Sequence, residues 1–226
     1  MFSLFQLFEF SYQDGLLFYD RSGMLSRRLQ DILPGLTYKS STHDQLDMSL
    51  GSKDVDLFFG IGVSHIQTLE PNQTDFPSTA SKFLQCVSEI LEIGQLQNFR
   101  FRYVFGKPCA TTEDAQKLML PLIPDETKVK LKSVTDLPQW RAVQAEFVVG
   151  NLAFESRTAI VELAVHRKLA AVKEQAGTVV PHITIHLDVR GLTPISVAEF
   201  DAEAFMRNVS EKQAQEILSK LAPHLS

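Results

Sequence analysis

The amino-acid sequence predicts an α+β fold, in which a mainly antiparallel sheet of long hairpins carries helices packed on one face. Apolar and polar residues alternate at 99–103 and 182–189, the period of a half-buried strand. The stretch 83–91 instead places apolar residues at i, i+1, i+4, i+7 and i+8, the stripe of an amphipathic helix. Strand pairs joined by short turns favour antiparallel pairing, with the helices covering one face of the sheet.

Further elements follow in order along the first half of the chain. Aromatic residues alternate with polar ones at 8–13 and predict a first strand. A helix is predicted at 22–32, because its apolar positions recur at helical spacing until Pro34-Gly35 stops it. The stretch 45–68 is predicted to be one hairpin that turns at 51–54. Pro77 suits the first turn of the helix that holds the apolar stripe, and Gly94 suits its end.

The second half supplies a similar set of elements in a permuted order. They are a short helix, a hairpin, a strand and a final helix, at 112–122, 142–165, 182–189 and 210–221. The hairpin is predicted to turn at Gly150-Asn151, although the apolar positions of 161–172 also fit a helix. Another helical turn is predicted at 199–206. We therefore expect one compact domain, 1–226, with 1–107 and 108–226 as candidate pseudo-repeated halves.

Composition excludes several classes of protein. The chain has 226 residues, of which 44% are hydrophobic, and this is enough for one sizeable core. A net charge of -5 and a pI near 5.7 argue against a nucleic-acid partner. Two cysteines are too few for a disulfide framework, no apolar run reaches membrane length, and the N-terminal stretch lacks the features of a signal peptide. We expect a cytoplasmic protein of bacterial or phage style, with no cofactor and no membrane partner.

Phenylalanine is abundant, with sixteen copies in the chain. That exceeds what a core of this size ordinarily needs, so we expect some of these rings to line a groove or a subunit interface. Unpaired sheet edges offer a second route to association. A protein or peptide partner, including a second copy of the chain in a homodimer, is therefore expected.

The block from Leu57 to Gly106 orders a hairpin strand, a loop with acidic and proline residues, an amphipathic helix and a strand with the sequence Phe-Arg-Phe-Arg-Tyr-Val at 99–104. This layout resembles a sporadically distributed, uncharacterised bacterial family whose members carry an Arg-x-x-x-Arg-Tyr-h-Asn strand (h apolar). Phe105-Gly106 stands where that family has Asn. The resemblance implies an α+β fold and supplies no catalytic residues. The layout is also similar to SecB-type chaperone subunits at the level of fold.

The strand at 182–189 concentrates polar chemistry on one face. His182 and His186 lie four residues apart, so their Cα atoms are about 13 Å apart in a strand and cannot readily share one metal ion. His182 and Thr184 match the His-h-Thr-h pattern of two-histidine phosphoesterases, which implies a histidine acid or base and a threonine that steadies the phosphate. That mechanism needs a second such motif, and His65-Ile66-Gln67-Thr68 has the threonine at the wrong spacing.

Arg100 and Arg102 share the face opposite the aromatic residues of their strand and are candidate ligands for an anion, together with His186. A solvent-facing strand explains the same pattern without a ligand. The sequence contains no complete catalytic or metal constellation, so we expect a non-enzymatic binding or assembly protein. The alternatives are a phosphoesterase that uses His182 and Thr184, and a SecB-like peptide-binding chaperone or toxin–antitoxin accessory protein.

Overall fold

A single antiparallel sheet runs through the described part of the chain. The computed structural model describes residues 2–13, 15–51, 54–69, 75–111, 114, 146–153, 160–173, 179–191 and 193–215. The strand segments 146–153, 160–173 and 179–185 are described by their backbone and register. The mainly antiparallel α+β fold is confirmed, because every strand pair in these residues is antiparallel.

The main described elements are ten strands and three helices, with short 3-10 helices at Gly15–Leu17 and Val197–Glu199. The strands are β1 (Phe2–Tyr12), β2 (Thr37–Ser41), β3 (Gln45–Leu50), β4 (Val55–Gly60), β5 (Val63–Thr68), β6 (Gln95–Pro108), β7 (Glu146–Ala153), β8 (Ile160–Lys173), β9 (Val179–Gly191) and β10 (Ile195–Ser196). The helices are α1 (Phe18–Ile32), α2 (Phe76–Leu91) and α3 (Ala202–Arg207), and α3 continues as a π-helical turn, Asn208–Gln213. The sheet order is β2-β3-β4-β5-β1-β6-β9-β8-β7, and β10 pairs with the start of β6.

The core lies between one face of the sheet and the helices. Alternate residues of β1 and β6, including Phe8, Phe10, Phe99 and Phe101, point to this face and are buried. The apolar stripe of α2 packs against them, as the contact of Phe83 with Phe10 shows at 5.8 Å between ring centroids. The described helices therefore all cover one face, and none of them covers the other face, which carries polar side chains and which we call the open face.

Ten of the sixteen phenylalanines are fully within this core, namely Phe8, Phe10, Phe18, Phe59, Phe76, Phe83, Phe99, Phe101, Phe105 and Phe205. Among residues with described side chains, the exposed large hydrophobic residues are Leu16, Tyr19, Met24, Tyr38 and Leu69. None of these is phenylalanine. These buried phenylalanine rings pack against each other within the core. The described part of the chain therefore gives no support to a groove lined by phenylalanine.

The predicted hairpin at 45–68 is in fact three strands. The chain turns a second time at Ile61-Gly62, between β4 and β5, where the backbone N–H of Tyr12 donates to the carbonyl of Gly62 at 3.0 Å. The apolar alternation of β4 runs on into β5 and hides this turn. Strand β2 was not predicted, because all five of its residues are exposed and carry no apolar alternation.

The predicted strand pair at 142–165 is present as β7 and β8, but the predicted position of its turn is wrong. Gly150-Asn151 lies inside β7, at a register shift between Val148 and Asn151, so it marks a bulge and no turn. Residues 160–173 form strand β8 and exclude the alternative helix there. Apart from Asp114, the predicted helix at 112–122 lies outside the described residues.

The last described helix begins at Ala202, well before the predicted start at Ser210, and the predicted stretch 216–221 lies outside the described residues. The carboxylate of Asp201 accepts a hydrogen bond from the backbone N–H of Ala204 at 2.9 Å and caps the first turn. Ser210 lies inside the helical segment, where its hydroxyl donates to the carbonyl of Met206 at 2.9 Å. The predicted turn at 199–206 is thus the true start of this helix.

Strand β9 ends against the aromatic cluster under α3. Gly191 pairs with Phe99, and a Cβ atom at Gly191 would lie 2.2 Å from the Phe99 ring. The same ring contacts Phe200 and Phe205, at 4.4 and 5.1 Å between centroids. This packing fixes β9 beside β6 and thereby sets the neighbours of the histidine-bearing strand. Among the described helices, none is long and apolar enough to cross a membrane.

Candidate anion-binding site on the open sheet face

The open face of β6 and β9 carries a cluster of charged side chains that the strand register brings together. Arg102 pairs with Asp188, and Arg100 pairs with Arg190, on these adjacent strands. All four lie at alternate positions, so they share the face opposite the buried Phe99 and Phe101. We call Arg100, Arg102, Asp188 and Arg190 the arginine cluster.

Three guanidinium groups of the arginine cluster converge on one carboxylate. Arg100 donates through Nε to Asp188 Oδ1 at 2.7 Å and through Nη2 to Oδ2 at 2.5 Å, which is a bidentate pair. Arg102 donates through Nη2 to Oδ2 at 3.2 Å. Arg190 donates to the same carboxylate at 3.2 and 3.5 Å. Asp188 therefore accepts from every arginine of the cluster.

The carboxylate at the centre is almost completely shielded from water. The Asp188 side chain is 2% exposed. Burial alone would raise the pKa of Asp188, but the hydrogen bonds and positive charges of Arg100 and Arg190 outweigh it and hold this pKa far below its ordinary range. The hydrogen bond from Arg100 to Asp188 also raises the pKa of that guanidinium. Asp188 is therefore ionised at every physiological pH.

Among the side chains that the structure describes at this site, three arginines outnumber two carboxylates, and Glu162 on β8 also pairs with Arg190 in the strand register. Asp188 balances one of three arginines, and Glu9, which lies beside Arg100 on β1, balances another. Arg102 and Arg190 keep 34% and 48% of their side chains exposed, and each has donors in addition to those directed at Asp188. These two side chains flank Asp188 and present charge-assisted hydrogen-bond donors to the solvent.

His186 lies on the same face of β9, two residues before Asp188, and pairs with Val104 on β6 and with His166 on β8. It is half-buried. The three residues predicted from the sequence as anion ligands, Arg100, Arg102 and His186, are thus neighbours on one surface. Sequence reasoning missed Arg190, although the polar alternation of β9 continues to it.

The residues of the phosphoesterase alternative lie further along β9. His182 pairs with Pro108 and Ala170, and Thr184 pairs with Gly106 and Lys168. Their side chains lie outside the described part of the structure, so the phosphoesterase alternative stays a prediction. Among the described residues, no group of three or more His, Cys, Asp or Glu side chains could hold a metal ion.

A row of side chains extends this face toward the other end of the sheet. Glu9 pairs with His65 on β5, His65 with Phe58 on β4, and Phe58 with Asp47 on β3. The rings of His65 and Phe58 stack at 5.0 Å between centroids. Burial lowers the pKa of His65, although the charges of Glu9, Asp47 and the nearby Asp56 act to raise it. The open face is therefore basic over β6 and β9 and acidic over β3 and β4.

No protein-family model matches the chain, and no curated protein matches it significantly. The resemblance to an uncharacterised bacterial family and to SecB-type subunits accordingly stays a prediction. The evidence for the function of this chain therefore comes from its own side chains.

Proposed function

We propose that this protein is a non-enzymatic binding protein whose open sheet face takes an acidic segment of a protein partner. The observation that carries the proposal is the convergence of three arginines on the buried Asp188, with Arg102 and Arg190 still open to solvent. Asp188 orients the guanidinium groups, so little side-chain entropy remains to be lost when a ligand binds. Guanidinium groups held in this way suit bidentate recognition of carboxylates.

The geometry of the strands favours an extended segment with acidic residues at alternate positions. Arg102 and Arg190 are diagonal neighbours on adjacent strands, which places them about 7 to 8 Å apart. Side chains at i and i+2 of an extended peptide are separated by about 6.6 Å and point the same way. Two such carboxylates can therefore reach the two arginines together.

The charge of the remaining surface limits the partner to a discrete acidic segment. The chain carries a net charge of -5, and Glu9, Asp47 and Asp56 lie on the same face. A long polyanion such as a nucleic acid would place phosphates over these carboxylates and be repelled. A short segment that ends within the basic part of the face avoids them.

The state of the cysteines supports a cytoplasmic setting for this binding protein. Cys86 and Cys109 are both buried, and Cys86 is a free thiol. Burial raises the pKa of the Cys86 thiol to about 11, so this thiol is unreactive at neutral pH. A buried free thiol such as Cys86 fits a reducing compartment.

A titration with a capped peptide tests the proposal directly. The probe is acetyl-Glu-Ala-Glu-amide, followed through the guanidinium Nε–H signals of the protein by NMR. We expect saturable shifts of Arg102 and Arg190, and loss of at least about tenfold in affinity in the Arg102→Gln, Arg190→Gln double variant, which corresponds to about 1.4 kcal/mol. Binding should also weaken as salt rises, because both arginines are partly exposed.

The matched control removes two charges elsewhere. Arg27 and Arg28 are exposed on α1, away from the open face, so the Arg27→Gln, Arg28→Gln double variant changes the net charge equally. It should bind the peptide as the unmodified protein does. Equal weakening in both double variants would reduce the effect to net charge, and the absence of any saturable shift would sink the proposal.

A further inference from the structure

A concave surface lies at the β2 edge of the sheet, on the side that the helices cover. Helix α1 stops short of the edge strand β2, and the gap between them is a cleft of about 310 Å³. Buried Phe18 and Leu46 contribute to its lining, and the exposed rings of Tyr19, Tyr38 and His43 also border it. This volume is at the lower end of the range for small-molecule sites, about 300 to 1,000 Å³, and fits a ligand of one or two rings.

The aromatic wall of the cleft is held in place before any ligand arrives. The rings of Tyr19 and His43 stack at 4.5 Å between centroids. The hydroxyl of Tyr19 donates to Asp44 Oδ1 at 3.0 Å. Two rings fixed in this manner offer a flat apolar surface beside a polar edge.

Exposed aromatic surface is concentrated here. Tyr19 and Tyr38 both line the cleft, and they are 39% and 56% exposed. They are the two aromatic residues among the exposed large hydrophobic side chains of the described chain. Aromatic side chains left open around a concave surface mark a binding site more strongly than scattered ones do.

Gly23 lines the cleft and contributes no side chain to it. It lies in the middle of α1, where glycine costs about 1 kcal/mol relative to alanine. A Cβ atom at Gly23 would meet nothing within 4 Å, so no neighbour in the folded chain requires glycine there. Because Gly23 is one of the lining residues, a longer side chain at this position would extend from the wall of the cleft.

The polar groups of the lining are hydroxyls without formal charge. They belong to Ser22, Ser26, Ser41 and Thr42, in addition to the two tyrosines, and the Ser26 hydroxyl already donates to the carbonyl of Ser22 at 2.7 Å. No Lys, Arg, Asp or Glu is among the described lining residues, and His43 is the single imidazole there. Phosphate and carboxylate ligands therefore lack a counter-charge, whereas a neutral ligand rich in hydroxyl groups finds partners for them.

We propose that this cleft binds a neutral carbohydrate unit of one or two pyranose rings. The apolar C–H face of the sugar packs on the ring of Tyr38 or Tyr19, and its hydroxyls exchange hydrogen bonds with Ser22, Ser41 and Thr42. The proposal is independent of the arginine cluster, which lies on the opposite face of the sheet and serves an anionic ligand.

Saturation-transfer NMR with methyl glycosides tests the inference. The panel comprises the methyl glycosides of glucose, galactose, mannose and N-acetylglucosamine, each titrated to millimolar concentration. We expect at least one to give a saturable signal, and that signal to fall at least about tenfold in the Gly23→Leu and Tyr38→Ala variants. Gly23→Leu fills the cleft while improving helix propensity, so its melting temperature should not fall, and loss of binding there is not loss of folding.

The matched control is Arg28→Leu, which adds a leucine to an exposed position of α1 about 140° around the helix from Gly23. It should bind the glycoside as the unmodified protein does. The inference is overturned if no glycoside in the panel saturates, or if the signal survives in Gly23→Leu. It is equally overturned if acetate or inorganic phosphate competes the glycoside from the cleft.

Discussion

Asp188 is the residue on which the candidate site depends most. Replacing it with asparagine keeps the size of the side chain but removes the carboxylate that accepts hydrogen bonds from Arg100, Arg102 and Arg190. We expect the Asp188→Asn variant to lose about 3 to 5 kcal/mol of unfolding free energy, because three partly buried guanidinium groups lose their shared charged acceptor. Urea unfolding at neutral pH measures this loss.

An exposed aspartate provides the comparison for that variant. Asp75 pairs with Arg207 at 2.7 Å, but 57% of its side chain is exposed. Asp75→Asn should cost less than about 1 kcal/mol, because water screens a surface pair. The lowered pKa of Asp188 sets the pH window: its contribution is complete above the unfolded value near 3.9 and is lost as pH falls below it. Equal losses in the two variants at neutral pH would contradict the central role of Asp188.

His65 makes stability depend on pH in a different window. Because burial lowers the pKa of His65, the unfolded chain takes up a proton near pH 6.5 while the folded chain stays neutral at this position. The stability that neutral His65 contributes is therefore present above about pH 6.5 and is lost as pH falls through the lower folded value.

The measurement compares urea unfolding of the unmodified protein and the His65→Gln variant between pH 7.5 and 5. We expect the unmodified protein to lose more stability over this range than the variant does, and the imidazole signal of His65 to titrate below its ordinary pKa in NMR spectra. Parallel stability curves for the two proteins would show that His65 is not the source of the pH dependence.

At the scale of elements, local patterns predicted those segments in which one period is unbroken. The apolar stripe of α2 fixes its register, and its end is set by Glu92 in the left-handed conformation, with φ of 55°. Local patterns failed where two signals compete. The serine at 210 and the glutamine at 213 resemble a capping box, but the Asp201 carboxylate caps an earlier first turn.

The turn between β4 and β5 could not be predicted from local sequence either. The alternation of β4 continues into β5, and the turn at Ile61-Gly62 is fixed by contacts with β1, including the hydrogen bond from the Tyr12 hydroxyl to the carbonyl of Gly60. Burial raises the pKa of Tyr12 to about 12, in spite of its hydrogen bond with Ser64, so this donor stays protonated. A turn held by a distant strand leaves little trace in its own sequence.

At the scale of the whole molecule, the two candidate sites depend on pairings that no local pattern contains. The alternation of β6 predicted that Arg100 and Arg102 share a face, and that of β9 placed Asp188 with His186. That β9 lies beside β6, and so completes the arginine cluster, follows from the non-local order of the sheet. The cleft beside Gly23 is still less predictable, because it is a gap between the helix layer and an edge strand.

The edge of the sheet governs whether molecules associate through their strands. Strand β2 lies at one end of the sheet order, and it combines full exposure, a register shift between Tyr38 and Ser40, and the charge of Lys39. Lys39 donates to Asp56 Oδ1 at 2.5 Å and stays 52% exposed. Charged residues and bulges of this kind oppose pairing with the edge of another molecule.

Replacing Lys39 with valine should remove that protection. We expect the Lys39→Val variant to form dimers or larger species that increase with protein concentration, because the edge then presents an uncharged β-branched residue beside unpaired backbone groups. Analytical ultracentrifugation over a hundredfold range of concentration measures the effect.

The matched control is Lys82→Val, which removes the same charge from an exposed position on α2 and should leave the mass distribution unchanged. If both variants associate equally, net charge and not the β2 edge sets the solution state; if neither does, Lys39 is not what keeps this edge unpaired.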